Sequence, residues 1–420
     1  MDERGRDWRT IVLAVGASGS ALLALAAVPL LLAYTALASF RGELAGRVRS
    51  PLDVAVLAAA LVVIGMVFLP AAYYSFQRLR GGDVPPAALK LLRVWQGILM
   101  VLLWLGAAVA AQLLLKQPIL KWVTPAFYVI AIGLPVYFFA RLATGGLRVG
   151  SRQRLWGVLA AGITLGTSLS IIAELLVALL GLVGVGIYVA AHPEQLAALK
   201  QIAAQLSNAS GLDQVLNTAG PWLNNPVAIL LALLFFSILS PIIEETAKSL
   251  ATWTVFDHLT SSAQGFAVGA MSGAAFGLVE SLLVSATPDS NWTTTLLVRG
   301  ASTMMHIMAA SLTGWGIATF RLTKRPARMI GMYALAMSLH GLWNACVVGI
   351  TFGGLRTALN GNAPDAIGLV LMFAGGAVLL LLCLVIPLAL GAINWRFRAA
   401  SATANHGVTE TPSELSSTTL

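Results

Sequence analysis

The sequence places a small group of ionisable residues inside stretches that are otherwise apolar. Four consecutive apolar stretches between residues 227 and 352 hold Glu244, Glu245, Lys248, Glu280, His306 and His340. An ionised side chain at the centre of a bilayer costs roughly 2.5–3.5 kcal/mol. If the four residues other than the histidines were all ionised and faced lipid, the cost would be on the order of 10 kcal/mol. These side chains are therefore expected to face one another, water or an ion, as a candidate functional site.

The residue types in this group fit the chemistry of metal-assisted hydrolysis. Two neutral imidazoles and a carboxylate form a catalytic zinc ligand set, and a further carboxylate then serves as general base. The three glutamates exceed the one lysine by two negative charges, which a divalent cation would neutralise. Otherwise one or more glutamates must carry a proton. Asn344, one turn after His340, can donate to a developing oxyanion.

The segment with the two adjacent glutamates reads SILSPIIEETAKS over residues 237–249. Pro241 has no backbone N–H to donate, so a kink is predicted just before the carboxylates. Glu244 and Lys248 lie one turn apart and can form an ion pair. A purely structural ion pair between helices explains these two residues as well, but it leaves Glu245 without a role.

A glycine occurs at every fourth position of the next apolar stretch, at 265, 269, 273 and 277. Small residues at this spacing let a neighbouring helix approach backbone to backbone. Glu280 follows three residues later, so its carboxylate is predicted to point into the bundle. A neutral Glu280 that is hydrogen-bonded between helices is the alternative. The helical rise puts Glu280 roughly 9 Å below the outer membrane boundary, the two histidines roughly 17 Å and Glu244 roughly 25 Å.

Charged residues are scarce in the chain as a whole. Of its 420 residues, 10% are charged and 58% are hydrophobic, and the mean hydropathy is +0.84. Despite a net charge of +9, this composition excludes a soluble globule, a disordered chain and a nucleic-acid-binding domain. Ten stretches approach or exceed the roughly 20 residues that a membrane-crossing helix needs. They are 11–39, 53–76, 96–115, 122–140, 155–190, 227–257, 264–286, 295–321, 329–352 and 366–394.

The predicted fold is therefore all-α, a polytopic membrane helical bundle of about ten transmembrane helices. Because ten is even, both termini are expected on one side of the membrane. With the N-terminus inside, the cytoplasmic segments hold 17 Lys and Arg and the opposite segments hold 8. Positive residues concentrate on the cytoplasmic side of membrane proteins. The bias predicts that the N-terminus and the C-terminus both face the cytoplasm.

Four regions follow from this division of the chain. Residues 1–190 form a five-helix membrane region without an assigned role, and residues 191–226 form an extracytoplasmic polar loop in which 193–206 is predicted as an amphipathic helix. The candidate site falls in 227–394, with its core at 227–352, and residues 395–420 are predicted to be a disordered cytoplasmic tail. Apart from Asp53 at the first position of its span, Glu174 is the only acidic residue within the first five spans. For it we predict an interhelical hydrogen bond, with a role in a substrate path as the alternative.

Four motifs occur in order, one on each successive helix. They are EETAK at Glu244–Lys248, FGLVE at Phe276–Glu280, His306 followed by Gly314, and HGLWN at His340–Asn344. Together these motifs resemble the PrsW family of intramembrane metalloproteases, which is related to the CAAX-processing endopeptidase and bacteriocin-processing superfamily. Arg299, seven residues before His306, adds to this resemblance. Ser281 departs from it, because many relatives have asparagine at this position. The resemblance implies membrane-anchored protein substrates and a multi-pass protein of the bacterial inner membrane.

We predict an intramembrane peptidase in which His306, His340 and Glu280 hold Zn²⁺. Glu244 or Glu245 activates water, Lys248 holds the glutamate pair and Asn344 stabilises the oxyanion. A metal-free mechanism, in which a glutamate and a histidine activate water together, stays open. Two other classes are a non-catalytic binding or immunity-type protein of the same fold and a proton- or cation-coupled transporter. The rest of the sequence does not repeat the pattern of residues 227–352, as a transporter with inverted repeats would require. The sequence does not indicate an oligomeric state.

Overall fold

A computed structural model describes residues 8–41, 50–208, 214, 218, 225–359 and 365–409, and this part is almost entirely helical. The first helices are α1 (Trp8–Arg41), α2 (Pro51–Leu79), α3 (Val94–Leu115), α4 (Thr124–Thr144), α5 (Arg152–Ala161), α6 (Ser168–Ala191) and α7 (Pro193–Ser207). The later helices are α8 (Pro226–Leu234), α9 (Ser240–Trp253), α10 (Ser262–Val284), α11 (Trp292–Thr323), α12 (Pro326–Leu359) and α13 (Ala366–Thr409). Two π-helical segments, Gly162–Thr167 and Phe235–Leu239, join α5 to α6 and α8 to α9. Short 3₁₀ turns occupy Leu120–Val123 and Phe256–His258.

Nine helical segments of the described residues are long and apolar enough to cross a membrane. They coincide with nine of the ten predicted spans, so the prediction of an all-α polytopic membrane bundle is confirmed. The tenth predicted span, 295–321, lies in α11. This helix is less apolar because most of its side chains contact protein, and nearly all of residues 302–319 are buried.

The centre of the bundle is the pair α10 and α11. An added Cβ at Gly269 would collide with the carbonyl oxygen of Ala310, and one at Gly273 would collide with the carbonyl oxygen of His306. The glycine spacing therefore brings the two backbones together, as predicted. Because Gly273 lies directly against the backbone of His306, this close packing also fixes the position from which the His306 side chain extends.

Contacts at the two ends of the bundle join segments that were predicted to share a side of the membrane. At one end, Arg9 pairs with Asp257 at 3.1 Å, and Gln264 donates to the carbonyl oxygen of Val149 at 3.4 Å. At the other end, Gln112 donates to the carbonyl oxygen of Asp289 at 3.1 Å. The contacts fit the alternation of the spans, and the assignment of the first end to the cytoplasm stays a prediction.

Two short strands and one amphipathic helix lie outside the spans. Strands β1 (Pro86–Ala88) and β2 (Arg148–Ser151) form an antiparallel pair between the loops that follow α2 and α4. Helix α7 coincides with the amphipathic helix predicted at 193–206. The rest of the predicted polar loop falls largely outside the described residues.

The final helix is longer than predicted. Helix α13 continues to Thr409, so residues 395–409 are helical where a disordered tail was expected, and residues 410–420 lie outside the described part. The first turns of this extension are held by packing, because the ring of Phe397 lies 5.6 Å from that of Phe266 and 5.2 Å from that of Trp315. The low apolar content that suggested disorder begins only after these aromatic contacts.

Candidate active site

The helix with the two adjacent glutamates begins at a π-helical segment. The Ser240 N–H donates to the Phe235 carbonyl oxygen, five residues back, and Pro241 has no N–H for the next carbonyl oxygen in that series, that of Phe236. Asn344 on α12 supplies the missing donor, with Nδ2 at 2.9 Å from the Phe236 oxygen. A π turn thus stands just before Pro241, where the sequence predicts a kink, and joins α8 to α9.

Lys248 lies at the centre of the buried charges. Its Nζ is 3.1 Å from Glu244 Oε2, 2.7 Å from Glu245 Oε1 and 2.9 Å from His306 Nδ1. The ammonium also lies 4.1 Å from the centroid of the Phe276 ring. The side chain is fully buried, so these groups replace the water that an ammonium would otherwise require.

His340 is oriented by Glu245. Its Nδ1 lies 2.8 Å from Glu245 Oε1, and its Nε2 lies 3.7 Å from Glu244 Oε2. A ring N–H that donates to a carboxylate fixes the tautomer and leaves the other ring nitrogen with its lone pair. A neutral His340 in this tautomer carries its lone pair on Nε2, which faces Glu244.

His306 is oriented in the same way by Glu280. Its Nε2 lies 2.7 Å from Glu280 Oε2, which also pairs with Arg299 Nη2 at 2.6 Å. With Nε2–H donating to Glu280, the lone pair lies on Nδ1, and this agrees with its contact to the Lys248 ammonium. Each histidine thus has a carboxylate at one ring nitrogen, and the other nitrogen faces Lys248 in His306 and Glu244 in His340.

The two histidines and one of the glutamates together fit a metal ion. Glu244, His306 and His340 each offer one ligand atom, and these atoms all lie within 4.8 Å of one another. Ligands at zinc distances in a tetrahedral site are separated by about 3.4 Å, close to the 3.7 Å between His340 Nε2 and Glu244 Oε2. Glu244 Oε2 is buried and faces the Lys248 ammonium at 3.1 Å as well as His340 Nε2. The two imidazole rings lie 5.0 Å apart and nearly perpendicular.

The comparison with protein families agrees with this arrangement. The sequence model of the PrsW family intramembrane metalloproteases matches residues 151–379, more than half of the chain. The chain belongs to the PrsW family of intramembrane metalloproteases. No curated protein and no solved structure matches it. The family match begins well before residue 227, so it includes α6 as well as the helices that bear the four motifs.

The structure brings together six of the seven residues that the sequence singled out in this PrsW-family chain: Glu244, Glu245, Lys248, Glu280, His306 and His340. Glu280 is the predicted third metal ligand, and its carboxylate contacts His306 Nε2 and Arg299. The seventh, Asn344, has its amide bonded to the Phe236 carbonyl oxygen. Its predicted part in oxyanion stabilisation stays a prediction.

Three further residues belong to the site although sequence reasoning gave them no part in the chemistry. Arg299 joins Glu280, and the signal was its position two turns before His306 on the same helical face. Ser240 donates to Glu174 Oε1 on α6 at 2.6 Å and lies 3.1 Å from Glu244 Oε1. The predicted interhelical hydrogen bond of Glu174 is confirmed, but nothing in the sequence identifies its partner.

The side chains of the PrsW-family site differ in how much of their surface the protein covers. Glu245 is fully buried and Glu244 is 10% exposed, whereas Glu280 is 26% exposed and Arg299 is 17% exposed. The cluster therefore opens on the side of Glu280 and Arg299 and is closed on the side of Glu245.

Proposed function

We propose that this chain is an intramembrane peptidase that hydrolyses peptide bonds of membrane-anchored protein substrates. The observation that carries the proposal is the pair of histidines, His306 and His340, each of which has one ring nitrogen against a carboxylate and offers a ligand atom within 4.8 Å of that of Glu244. Carboxylate–histidine pairs of this kind are typical of metal sites. A structural ion-pair cluster would not require the two imidazoles and Glu244 to hold ligand atoms within 4.8 Å of one another.

Glu244, His306 and His340 would hold the divalent cation, for which Zn²⁺ is the best match to two imidazoles and one carboxylate. The chemistry that such a cation supplies when bound is polarisation of the scissile carbonyl and activation of water. Glu245 would keep His340 in the required tautomer. Glu280, the ligand predicted from the sequence, is the alternative third ligand, with Glu244 then acting on water.

Glu280 is the carboxylate best placed to act as general base in this arrangement. It is the most exposed of the three, so water reaches it most readily. Glu280 would take a proton from the water whose oxygen attacks the carbonyl carbon, and return it to the leaving nitrogen as the C–N bond breaks. Arg299 pairs with Glu280 through Nη2 at 2.6 Å, and its Nε, which is buried without a hydrogen-bond partner among the described residues, would donate to the developing oxyanion.

The position of Lys248 favours a second candidate mechanism without metal. Its ammonium already touches Glu244 Oε2 and His306 Nδ1, two of the three groups that would bind a cation. In this version Lys248 supplies the positive charge permanently, and a glutamate and a histidine activate water together. The two mechanisms differ in whether a divalent cation binds in stoichiometric amount.

The test combines metal analysis with cleavage of natural membrane proteins. Protein purified in detergent is analysed for metal, and bacterial membrane fractions are incubated with it before new peptide N-termini are mapped by mass spectrometry. We expect His306→Ala and His340→Ala to abolish both metal and cleavage, whereas His192→Ala, at an exposed histidine that ends α6, leaves both unchanged. Cleavage that survives both of the first two changes would refute the proposal.

The same experiment separates the roles of the two glutamates. Glu244→Gln is expected to lose the metal, while Glu280→Gln keeps the metal and loses cleavage. The reverse pattern would assign the third ligand to Glu280, as the sequence predicts. Wild-type cleavage that persists in strong chelators, without bound metal, would support the metal-free mechanism.

A further inference from the structure

One carboxylate that the proposed chemistry does not use reaches the site from a separate helix. Glu174 on α6 lies with Oε1 at 2.6 Å from Ser240 Oγ, and the same hydroxyl lies 3.1 Å from Glu244 Oε1. Ser240 is buried in the first turn of α9, one turn before Glu244. Glu174, Ser240 and Glu244 therefore form a continuous polar chain from α6 into the site.

The rest of α6 gives no packing reason for a carboxylate at this position. From Leu175 to Ala191 almost every side chain of α6 is exposed, so this part of the helix faces lipid. Polar groups are kept in such surroundings only when they have a partner. Glu174 is half-buried, and its carboxyl group is hydrogen-bonded to Ser240.

The two oxygens of Glu244 are held by different partners. Oε2 faces Lys248 Nζ at 3.1 Å and His340 Nε2 at 3.7 Å, whereas Oε1 faces Ser240. Because the carboxylate is rigid and planar, fixing Oε1 also fixes the direction of Oε2. The contact with Ser240 thus decides whether Oε2 points at the histidines.

We propose that Glu174 is a positioning residue that aims Glu244 through the hydroxyl of Ser240. The inference rests on the proposed function, in which Glu244 Oε2 is a ligand or a base. The Ser240 hydroxyl has one hydrogen, so it can bond fully to both carboxyl groups only when one of them donates a hydrogen of its own, and in the proposed chain that group is Glu174. Glutamine at position 174 would supply that donor from its amide, whereas alanine would leave Ser240 free to turn away from Glu244.

Binding of Co²⁺ alone is the first test, since its visible spectrum reports ligand geometry without any substrate. Residues that orient a metal ligand typically contribute about 10- to 100-fold to metal affinity. We expect Glu174→Ala and Ser240→Ala each to weaken Co²⁺ binding by about tenfold or more and to alter the spectrum. Glu174→Gln and Ser240→Thr should bind nearly as the wild type does. The matched control is Ser170→Ala, which removes a buried α6 hydroxyl that donates to the Gly166 carbonyl oxygen in the π segment just before α6.

The second test is the double variant, Glu174→Ala with Ser240→Ala. If both residues act along one chain, the double variant binds Co²⁺ no more weakly than the weaker single variant. Losses that multiply would overturn the chain, and so would a Glu174→Ala protein that binds Co²⁺ with the wild-type affinity and spectrum. A Glu174→Gln protein as defective as Glu174→Ala would also contradict it.

Failure of the inference can be told apart from failure of the proposed function. A wild-type protein that binds no Co²⁺ refutes the metal site, and the same variants are then compared in single-turnover cleavage of a peptide mapped in the membrane fractions. There we expect the turnover of Glu174→Ala to fall by about tenfold or more with KM unchanged. If Glu244→Gln abolishes cleavage and Glu174→Ala does not reduce it, only the positioning role is wrong.

Discussion

Replacing Lys248 with methionine tests how the buried cluster balances its charges. Methionine keeps most of the side-chain volume beside Phe276 and removes the ammonium that pairs with Glu244 at 3.1 Å and Glu245 at 2.7 Å. Removing one partner of a buried ion pair costs about 3–5 kcal/mol, because the other charge is left uncompensated. Two carboxylates lose their partner here, so without metal we expect the free energy of unfolding to fall by about 5 kcal/mol.

The same substitution removes the competitor of a metal ion. With the ammonium gone, Glu244 Oε2 and His306 Nδ1 are free for a cation, so Zn²⁺ should stabilise Lys248→Met more than the wild type. At a concentration of 100 times the dissociation constant, a ligand stabilises the folded state by about 2.7 kcal/mol. Added Zn²⁺ should therefore recover about half of the lost stability in the variant.

Tryptophan fluorescence during unfolding in mixed detergent micelles measures both effects, with and without a chelator. Lys116→Met, at an exposed lysine that follows α3, is the matched control and should change neither stability nor the response to Zn²⁺. A Lys248→Met protein as stable as the wild type in chelator would refute the charge balance. Equal stabilisation of both proteins by Zn²⁺ would refute the competition between Lys248 and metal.

Three further predictions concern residues around the cluster and at its edges. Glu245→Gln should weaken Co²⁺ binding by about 10- to 100-fold, because the imidazole it orients loses its fixed tautomer; a binding titration checks this. Gly269→Val should lower the free energy of unfolding by at least about 1–3 kcal/mol through overpacking, while Gly106→Val, where an added Cβ meets nothing within 4 Å, should change it little. Arg356, paired at 2.8 Å, holds the pKa of Asp365 below its usual range. A lowered pKa means stability that is present above the ordinary aspartate value and lost as pH falls through the folded value. The wild type should therefore be more stable than Asp365→Asn near pH 6, and this advantage should shrink as the pH is lowered below the ordinary aspartate pKa; melting temperatures of the two proteins across this pH range check it.

The sequence was sufficient to predict nine of the spans and six of the residues that lie together in the site. The cost of isolated charge in lipid applies to any fold, so it correctly joined Glu244, Glu280 and the histidines. The glycine spacing on α10 likewise predicted its close contact with α11. Both arguments depend only on residue type, spacing and the properties of the bilayer.

Roles within the site depend on distances that the sequence does not contain. A straight-helix rise separates Glu280 from His306 by roughly 8 Å in depth, yet Glu280 Oε2 lies 2.7 Å from His306 Nε2. The orientation of each helix and the reach of its side chains remove that difference. The partner of Asn344 was hidden for a related reason, because the Phe236 carbonyl oxygen lacks a donor only once the π turn precedes Pro241.

The π segment at Phe235–Leu239 also sets the register between two faces of one membrane-crossing unit. A π turn takes up one residue more than an α turn, and each residue of an α-helix turns the chain by about 100°. Deleting a single residue from this segment would let α8 continue into α9 as a regular helix. In that variant the glutamates of α9 would be rotated by about 100° relative to the lipid-facing side chains of α8. The shortened helix could then turn its apolar side chains to lipid or its carboxylates to the histidines, but not both at once.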